Sequence, residues 1–415
     1  MIRLLIMADD FTGALDTGVH LVTHGAKVRV ITNPMADLKV YAEETEVLVV
    51  DAETRHLSAE NAYKVIKQIT DCAVAMQIPH LYKKTDSALR GNIGAELTAI
   101  MDAAGEKKLA FIPAFPEIGR CTVNGVQYIG NIPVAESVFG DDPFEAVKHS
   151  EVADIIHEQS NISTHYASVD EMTMKENGIY VFDASSQEEL NTIGERLLAN
   201  DQLYLTAGCA GFGIVLPKLL GWKQRVQMVL PALDKKLLVV CGSVNPITIE
   251  QLGLAEEKGF YRYRITPEQK LHASAGGRDG NAELVKELKQ RLAEHPYMII
   301  DSNDSDGNES TRQYAKAHNI SIEDVRVNIS STIGQIVSSL FDCSDLRTLL
   351  ITGGDVLKQC MDWMEVYEME PIGEMVPGIV LSRFTKNNCS RYVISKSGGF
   401  GEKTLINDIV KIIER

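Results

Sequence analysis

The sequence predicts an α/β protein of two domains, each a mainly parallel sheet covered by helices. Three observations lead there. Short, continuous apolar runs alternate with helix-length amphipathic stretches along the whole chain. The chain has 415 residues, too many for one ordinary core and enough for two of roughly 200 residues each. The polar and glycine-rich motifs fall just after the apolar runs, where open α/β sheets bind ligands.

Residues 2–7 form a short apolar run that stops at a polar turn, which reads as a buried strand. Residues 12–23 follow as a helix closed by Gly25. Strands are expected at 27–32 and 46–50, then a helix with Ser58 as its N-cap running to about Met76, then strands at 80–83 and 109–113. In CTVNGVQYIGNIPV, Asn124-Gly125 sits between strand-prone residues and predicts a β-hairpin, because both central positions of the tightest hairpin turn need positive φ. The alternation resumes at 179–182 and 203–206. A proline and clustered charges between Gly221 and Lys235 mark a linker, giving domains 1–225 and 236–415. The second domain repeats the pattern. Its strands are expected at 236–240, 297–300, 348–351 and 391–394, and its helices from about Pro246 and over 281–293, 330–341 and 402–413.

Composition narrows the function. A net charge of −16 repels nucleic acid and anionic lipid, so neither is expected as a partner, and any anion site must be built locally from backbone N–H groups, Arg or Lys. The seven cysteines are scattered without a CxxC pair, which fits a reducing compartment. The opening MIRLLIMADD is too short for a signal peptide, and no apolar run approaches the roughly 18 residues of a membrane span, so a cytoplasmic location is expected. The histidines lack HExxH or HxH spacing, which argues against a catalytic zinc.

Five strand-end loops carry the chemistry. In ADDFTGALD, Asp9 and Asp10 stand at the end of the first strand, where carboxylates can hold substrate hydroxyls or take a proton; one of them can also cap the following helix. In KKTDSALRGNIGAEL, Lys84, Thr85, Asp86, Ser87 and Arg90 crowd one loop, and Arg90 can grip a carboxylate through two parallel hydrogen bonds. The loops CGSVNP, TGGD and KSGGFG each join a strand to a helix in the second half. Together they point to a nucleotide-phosphate site, since glycine admits close backbone approach and helix starts present free N–H groups. No loop reads GxxxxGK[ST], and none reads GxGxxG after the first strand of its domain. Residues 302–308, SNDSDGN, lack the closing acid of an EF-hand loop and read as a solvated turn.

In this order and spacing, the five motifs resemble the four-carbon acid sugar kinases, over nearly the whole chain. The resemblance implies that the N-terminal domain binds a sugar acid, that the C-terminal domain binds ATP, and that the active site lies in the cleft between them. On the acid side it implies Asp9, Asp10 and Arg90, with Lys84, Asp86 and Ser87 near them. On the nucleotide side it implies Ser243, the stretch Gly353, Gly354, Asp355 and Val356, and Gly398 with Gly399. Two departures stand out: the family usually has TGGET where this chain has Thr352-Gly353-Gly354-Asp355-Val356, and Thr where this chain has Ala88.

The expected reaction is in-line transfer from ATP to the terminal hydroxyl of a threonate, erythronate or 3-oxo-tetronate. Asp10 or Asp9 would be the base, Arg90 would hold the carboxylate, and Mg²⁺ would bridge the phosphates. Asp355 is the candidate for a water-mediated metal contact. A homodimer is compatible with the sequence. The rivals are a haloacid-dehalogenase-like phosphatase, whose DxD signature is broken here by Phe11, and a non-enzymatic sensor of sugar acid or nucleotide.

Overall fold

The structure, a computed structural model, describes residues 1–142, 145–169, 174–222, 228–272, 281–342, 346–397 and 399–414. The chain divides into two compact units, Met1–Gln227 and Met228–Arg415.

Among the described residues of the first unit, eight strands form a parallel sheet: β1 (Leu4–Ala8), β2 (Val28–Ile31), β3 (Val47–Asp51), β4 (His80–Lys84), β5 (Lys108–Ile112), β9 (Thr164–Ala167), β10 (Gly178–Phe182) and β11 (Leu205–Gly208). Their order across the sheet is β2-β3-β1-β4-β11-β5-β10-β9. Every residue of β1 and of β3 is buried, which explains their unbroken apolar runs: a parallel sheet has helices on both faces. The helix Phe11–Val22 carries the chain from β1 leftward to β2, and the helix Ala59–Ala75 carries it rightward from β3 to β4. Right-handed crossovers running in opposite directions place these helices on opposite faces and open a crevice at the carboxyl ends of β1 and its neighbours.

The Asn124-Gly125 turn forms as expected between antiparallel β6 (Arg120–Val123) and β7 (Val126–Ile129), with β8 (Ile132–Pro133) alongside. Asn124 and Gly125 have φ of 50° and 75°. Their N–H groups donate to the two carboxylate oxygens of Asp183 at 2.7 and 2.9 Å, which anchors the hairpin to the end of β10.

The second unit contains β12 (Leu237–Cys241), β13 (Tyr261–Arg264), β14 (Tyr297–Asp301), β15 (Thr348–Thr352), β16 (Glu368–Val376), β17 (Ile379–Lys386) and β18 (Cys389–Lys396). The order is β13-β14-β12-β15-β18-β17-β16. Its first four strands repeat the arrangement of β2-β3-β1-β4, so a second reversal of direction falls at the carboxyl end of β12. β17 runs antiparallel to both β16 and β18, and the hairpin β16–β17 was not expected from sequence. The more buried face of β16 is Met369, Pro371 and Gly373, and a proline and a glycine in those places hide the alternation that marks a strand. Among the described residues, no helix is long and apolar enough to cross a membrane.

Candidate active site

The register of the first sheet brings three loops to one level. Ala8, the last residue of β1, lies opposite Asp51 of β3 and Lys84 of β4. Asp9 and Asp10 therefore emerge beside Arg55, from the β3 loop, and beside the 85–90 loop after β4.

Asp10 is the N-cap of the helix Phe11–Val22. Its backbone is extended, and its Oδ1 accepts from the Gly13 N–H at 3.1 Å. A Cβ on Gly13 would stand 2.5 Å from Asp10 Oδ1 and 2.7 Å from Lys84 Nζ. The bare glycine is what lets the Lys84 ammonium come up against the start of this helix. Lys84 is buried and also donates to the Thr85 carbonyl at 2.8 Å.

Arg55 ties the loops together. Its Nε and Nη2 donate side-on to the same oxygen, Asp9 Oδ2, at 2.8 and 2.7 Å. The same Nη2 lies 2.9 Å from Asp10 Oδ1 and 3.6 Å from Asp86 Oδ1. The Arg55 side chain is 9% exposed, so this is a desolvated cation among three carboxylates. Burial alone would raise the Asp9 carboxyl, but Arg55, Lys84 and Lys83 outweigh it and hold it below its ordinary value. Gly91 makes room for the guanidinium stem: it sits at φ +86°, and a Cβ there would press to 3.0 Å from Arg55 Cγ. No motif in the sequence marks Arg55. It lies in a plain loop, DAETRHL, and becomes central only because β3, not β2, is the neighbour of β1.

The 85–90 loop is built around Asp86. Its Oδ2 accepts from the N–H of Ala88 at 3.1 Å and of Arg90 at 3.3 Å, which folds the loop back on itself, with buried Leu89 in the left-handed region at φ 62°. Arg90 makes two parallel bonds to Asp86, Nε to Oδ2 and Nη2 to Oδ1, both 3.0 Å. The fork expected to meet a substrate carboxylate is thus turned onto Asp86, while Nη1 lies 3.7 Å from Asp142. Burial opposes ionisation of Asp86, yet Arg90 and Arg55 hold its carboxyl well below the usual range. Ser87 accepts from Arg120 through its hydroxyl and from Gln127 Nε2 through its carbonyl, so the hairpin strands β6 and β7 brace this loop. The ring of Phe139 lies 5.2 Å from the Arg90 guanidinium and 5.0 Å from that of Arg120.

Beneath the loops, Lys83 and Glu96 form a fully buried ion pair at 3.0 Å. Two buried polar atoms at the floor have no hydrogen-bond partner, Asp9 Oδ1 and Thr85 Oγ1. On the other side of Arg55 and Arg90 opens a cavity of about 190 Å³, lined also by Asn92, Glu145 and Lys148. Cationic donors around a small cavity suit a compact anion.

In the second unit, the loops after β12, β15 and β18 form the other polar surface. Gly353 sits at φ +105°, and a Cβ on it would lie 3.4 Å from the Gly242 carbonyl carbon and 3.6 Å from Ser243 N. The 242–243 and 353–354 backbones thus meet without side chains between them. The helix Gly354–Trp363 starts at Gly353 with no side chain capping it, which leaves its first N–H groups to an anion. Asp355 is half-exposed in its first turn, 3.4 Å from Arg326, and the Val356 side chain packs under Gly242. Gly399 lies within reach of Asn245, whereas Gly398 is outside the described residues. Lys396, buried at the end of β18, donates to Thr248 Oγ1 at 2.9 Å and to the Ser397 carbonyl at 3.1 Å; burial brings its amine down to about 8. The segment 302–308 is a solvated turn only in part. Ser302 and Asn303 are buried, and Asn303 Nδ2 donates to the Ser243 carbonyl at 3.0 Å.

Comparison with known proteins matches this division. Residues 4–216 match the model of a sugar-binding N-terminal domain, and residues 238–406 that of a nucleotide-binding C-terminal domain. A Salmonella typhimurium protein named D-threonate kinase is 26% identical over 427 residues, covering 99% of this chain and 98% of that one. A Heliobacterium modesticaldum protein named D-erythronate kinase is 26% identical over 424 residues, covering 96% and 94%. A solved Haemophilus influenzae structure shares the fold with a TM-score of 0.74 at 19% identity, over 99% of this chain and 100% of that one. The chain belongs to the four-carbon acid sugar kinase family, in which a sugar-binding N-terminal domain is joined to a nucleotide-binding C-terminal domain.

Proposed function

We propose that this protein is an ATP-dependent kinase that phosphorylates the terminal hydroxyl of a four-carbon sugar acid of the threonate, erythronate or 3-oxo-tetronate type. The observation that carries the proposal is the Arg55 junction, where one buried guanidinium from the loop after β3 orders Asp9 and Asp10 after β1 and Asp86 after β4. A site of this kind discriminates by hydroxyl geometry, because the buried Asp9 Oδ1, which has no donor among the described residues, must find one on the substrate.

The two aspartates take different roles. Asp9 is buried with its carboxyl held low, so it is a weak proton acceptor; its unpartnered Oδ1 suits orientation of a substrate hydroxyl. Asp10, at the rim and more open, accepts the proton from the attacking hydroxyl. Lys84 and the Nη1 edge of Arg90 supply positive charge for the substrate carboxylate, with Asp86 and Ser87 holding that loop in place. In the second unit, N–H groups of the 242–243, 353–356 and 399 loops cradle the phosphates, and Lys396 adds charge at the base of the last loop. Mg²⁺ fits the donor set, since one half-exposed carboxylate such as Asp355, which also faces Arg326, would hold it together with phosphates and water. When bound, it neutralises phosphate charge.

The deciding measurement is ADP release over a panel of threonates, erythronates and their 3-oxo derivatives. Saturable turnover on one of them with a phosphorylated acid as product is the expected result. Phosphate release from a sugar-acid phosphate without ATP would favour the phosphatase, and tight binding without turnover a sensor.

Lys396 also sets an alkaline limit. Its folded-state value of about 8 lies below the ordinary 10.5, so the free enzyme loses this charge as pH rises through 8. The kcat/KM for ATP is expected to fall above that pH, and Lys396→Met to flatten the profile while lowering its plateau.

A further inference from the structure

The helix Pro246–Glu257 turns a polar face toward the loop that follows β18. Asn245, its N-cap, and then Thr248 and Gln251 recur every three residues and so share that face. Gly399 lies beside Asn245, Thr248 Oγ1 accepts from Lys396, and Gln251 reaches the far end of the loop. Gln251 is fully buried. Its Nε2 donates to the carbonyls of Phe400 and Gly401, both at 3.1 Å, and of Glu402 at 2.9 Å. We propose that Gln251 is a positioning residue: by drawing three successive carbonyls to one side, it aims the N–H groups of Gly401, Glu402 and Lys403 to the other, toward the nucleotide. The inference rests on the proposed kinase reading and adds to it a residue that acts through the loop and not on the ligand itself.

Three features support it. The first is peptide geometry. The C=O and N–H of a trans peptide unit point in opposite directions, so carbonyls turned toward the helix leave the N–H groups of the following residues turned away from it. Among the described residues, none of those three N–H groups has a hydrogen-bond partner, and Gly401, Glu402 and Lys403 are all exposed. Gly401 sits at φ +83°, and successive N–H groups at such a turn form a concavity that favours an anion.

The second feature is what Gln251 gives up. Its Oε1 is buried without a hydrogen-bond partner, which lowers stability. The residue is therefore kept for its donors, a local imperfection of the kind found where function requires it. The third is the reach of the helix. Its other end leaves the first glycine loop, where Ser243 Oγ accepts from the Asn245 N–H at 3.2 Å. One rigid element thus holds the 242–245 and 396–402 loops at a fixed spacing, as a chain of phosphates requires.

Gln251→Met keeps the size of the side chain and removes its donors. The 401–403 backbone is at the surface, so water takes up the released carbonyls and the fold persists. ADP and inorganic tripolyphosphate are titrated calorimetrically into the full-length wild type and Gln251→Met, and millisecond hydrogen exchange is followed at the 353–356 and 401–403 amides. Gln251→Met is expected to bind both ligands at least tenfold more weakly. In the wild type, saturating ADP should slow exchange at both sets of amides; in the variant it should slow only the first. ADP affinity within twofold of wild type would overturn the inference and leave the kinase reading intact. So would a wild type in which ADP slows exchange at 353–356 but not at 401–403, a result that needs no variant. Loss of protection at both sets in the variant would also overturn it, since the damage would then extend through the whole unit. A wild type that binds neither ligand would sink the kinase reading, and the inference with it.

Discussion

Asp10→Asn is expected to lower kcat by between about 10² and 10⁴, the range a positioned general base contributes, while leaving the fold intact. The argument turns on the two jobs of this residue. As N-cap it accepts from the Gly13 N–H, and asparagine caps a helix about as well as aspartate. As base it needs a lone pair that can take a full proton, and a carboxamide has none. The substitution therefore separates the roles that Asp10→Ala would confuse, since alanine also removes the cap at a cost of about 1 kcal/mol. Arg55 keeps its two bonds to Asp9, so the rest of the junction persists. Single-turnover kinetics on Asp10→Asn, paired with thermal unfolding, would decide the matter: near-normal turnover removes Asp10 from the base role and shifts attention to Asp9.

Much of this site could be read from the chain because it is local. Asp9 and Asp10 announce themselves as paired acids ending an apolar run, and the 84–90 loop as a dense polar stretch between a strand and a helix. What could not be read depends on strand order. Arg55 gains its meaning from the insertion of β3 between β2 and β1, which local sequence does not encode. Arg120 and Phe139 come from the hairpin region between β5 and β9, predicted as a structure but without a visible link to Ser87 or Arg90. The expected two-bond grip of Arg90 on a ligand was plausible for a free arginine, but the sequence also supplied Asp86 four residues earlier, within reach of the same fork. In the second unit, buried Ser302 and Asn303 looked like solvent-facing turn residues because small polar side chains serve equally well in a turn and as a lining for a polar cavity.

Arg55→Met is expected to be the most damaging single change in the first unit, abolishing detectable turnover and destabilising it by about 3–5 kcal/mol, the cost of removing one partner from a buried ion pair. The wild-type junction balances one cation against Asp9, Asp10 and Asp86; with Arg55 gone, Asp9 retains Lys84 and Lys83 nearby and Asp86 retains Arg90, but the charges no longer meet at one point. The effect carries a pH signature whose sign follows from the depressed carboxyls. Stability that comes from holding Asp9 and Asp86 below the ordinary 3.8 is fully present above that pH and is lost as pH falls through their folded-state values. The gap between wild type and Arg55→Met should therefore be widest near neutrality and narrow below pH 3.8, where the carboxylates protonate. Arg55→Lys is expected to recover part of the stability and little of the activity, because an ammonium keeps the charge but cannot reproduce the planar Nε and Nη2 contacts that set Asp9 relative to Asp10. Denaturant unfolding at several pH values reads both effects. A gap that stays constant from neutrality into acid would mean that Arg55 acts by packing its stem against Gly91, and that the carboxylates do not depend on its charge.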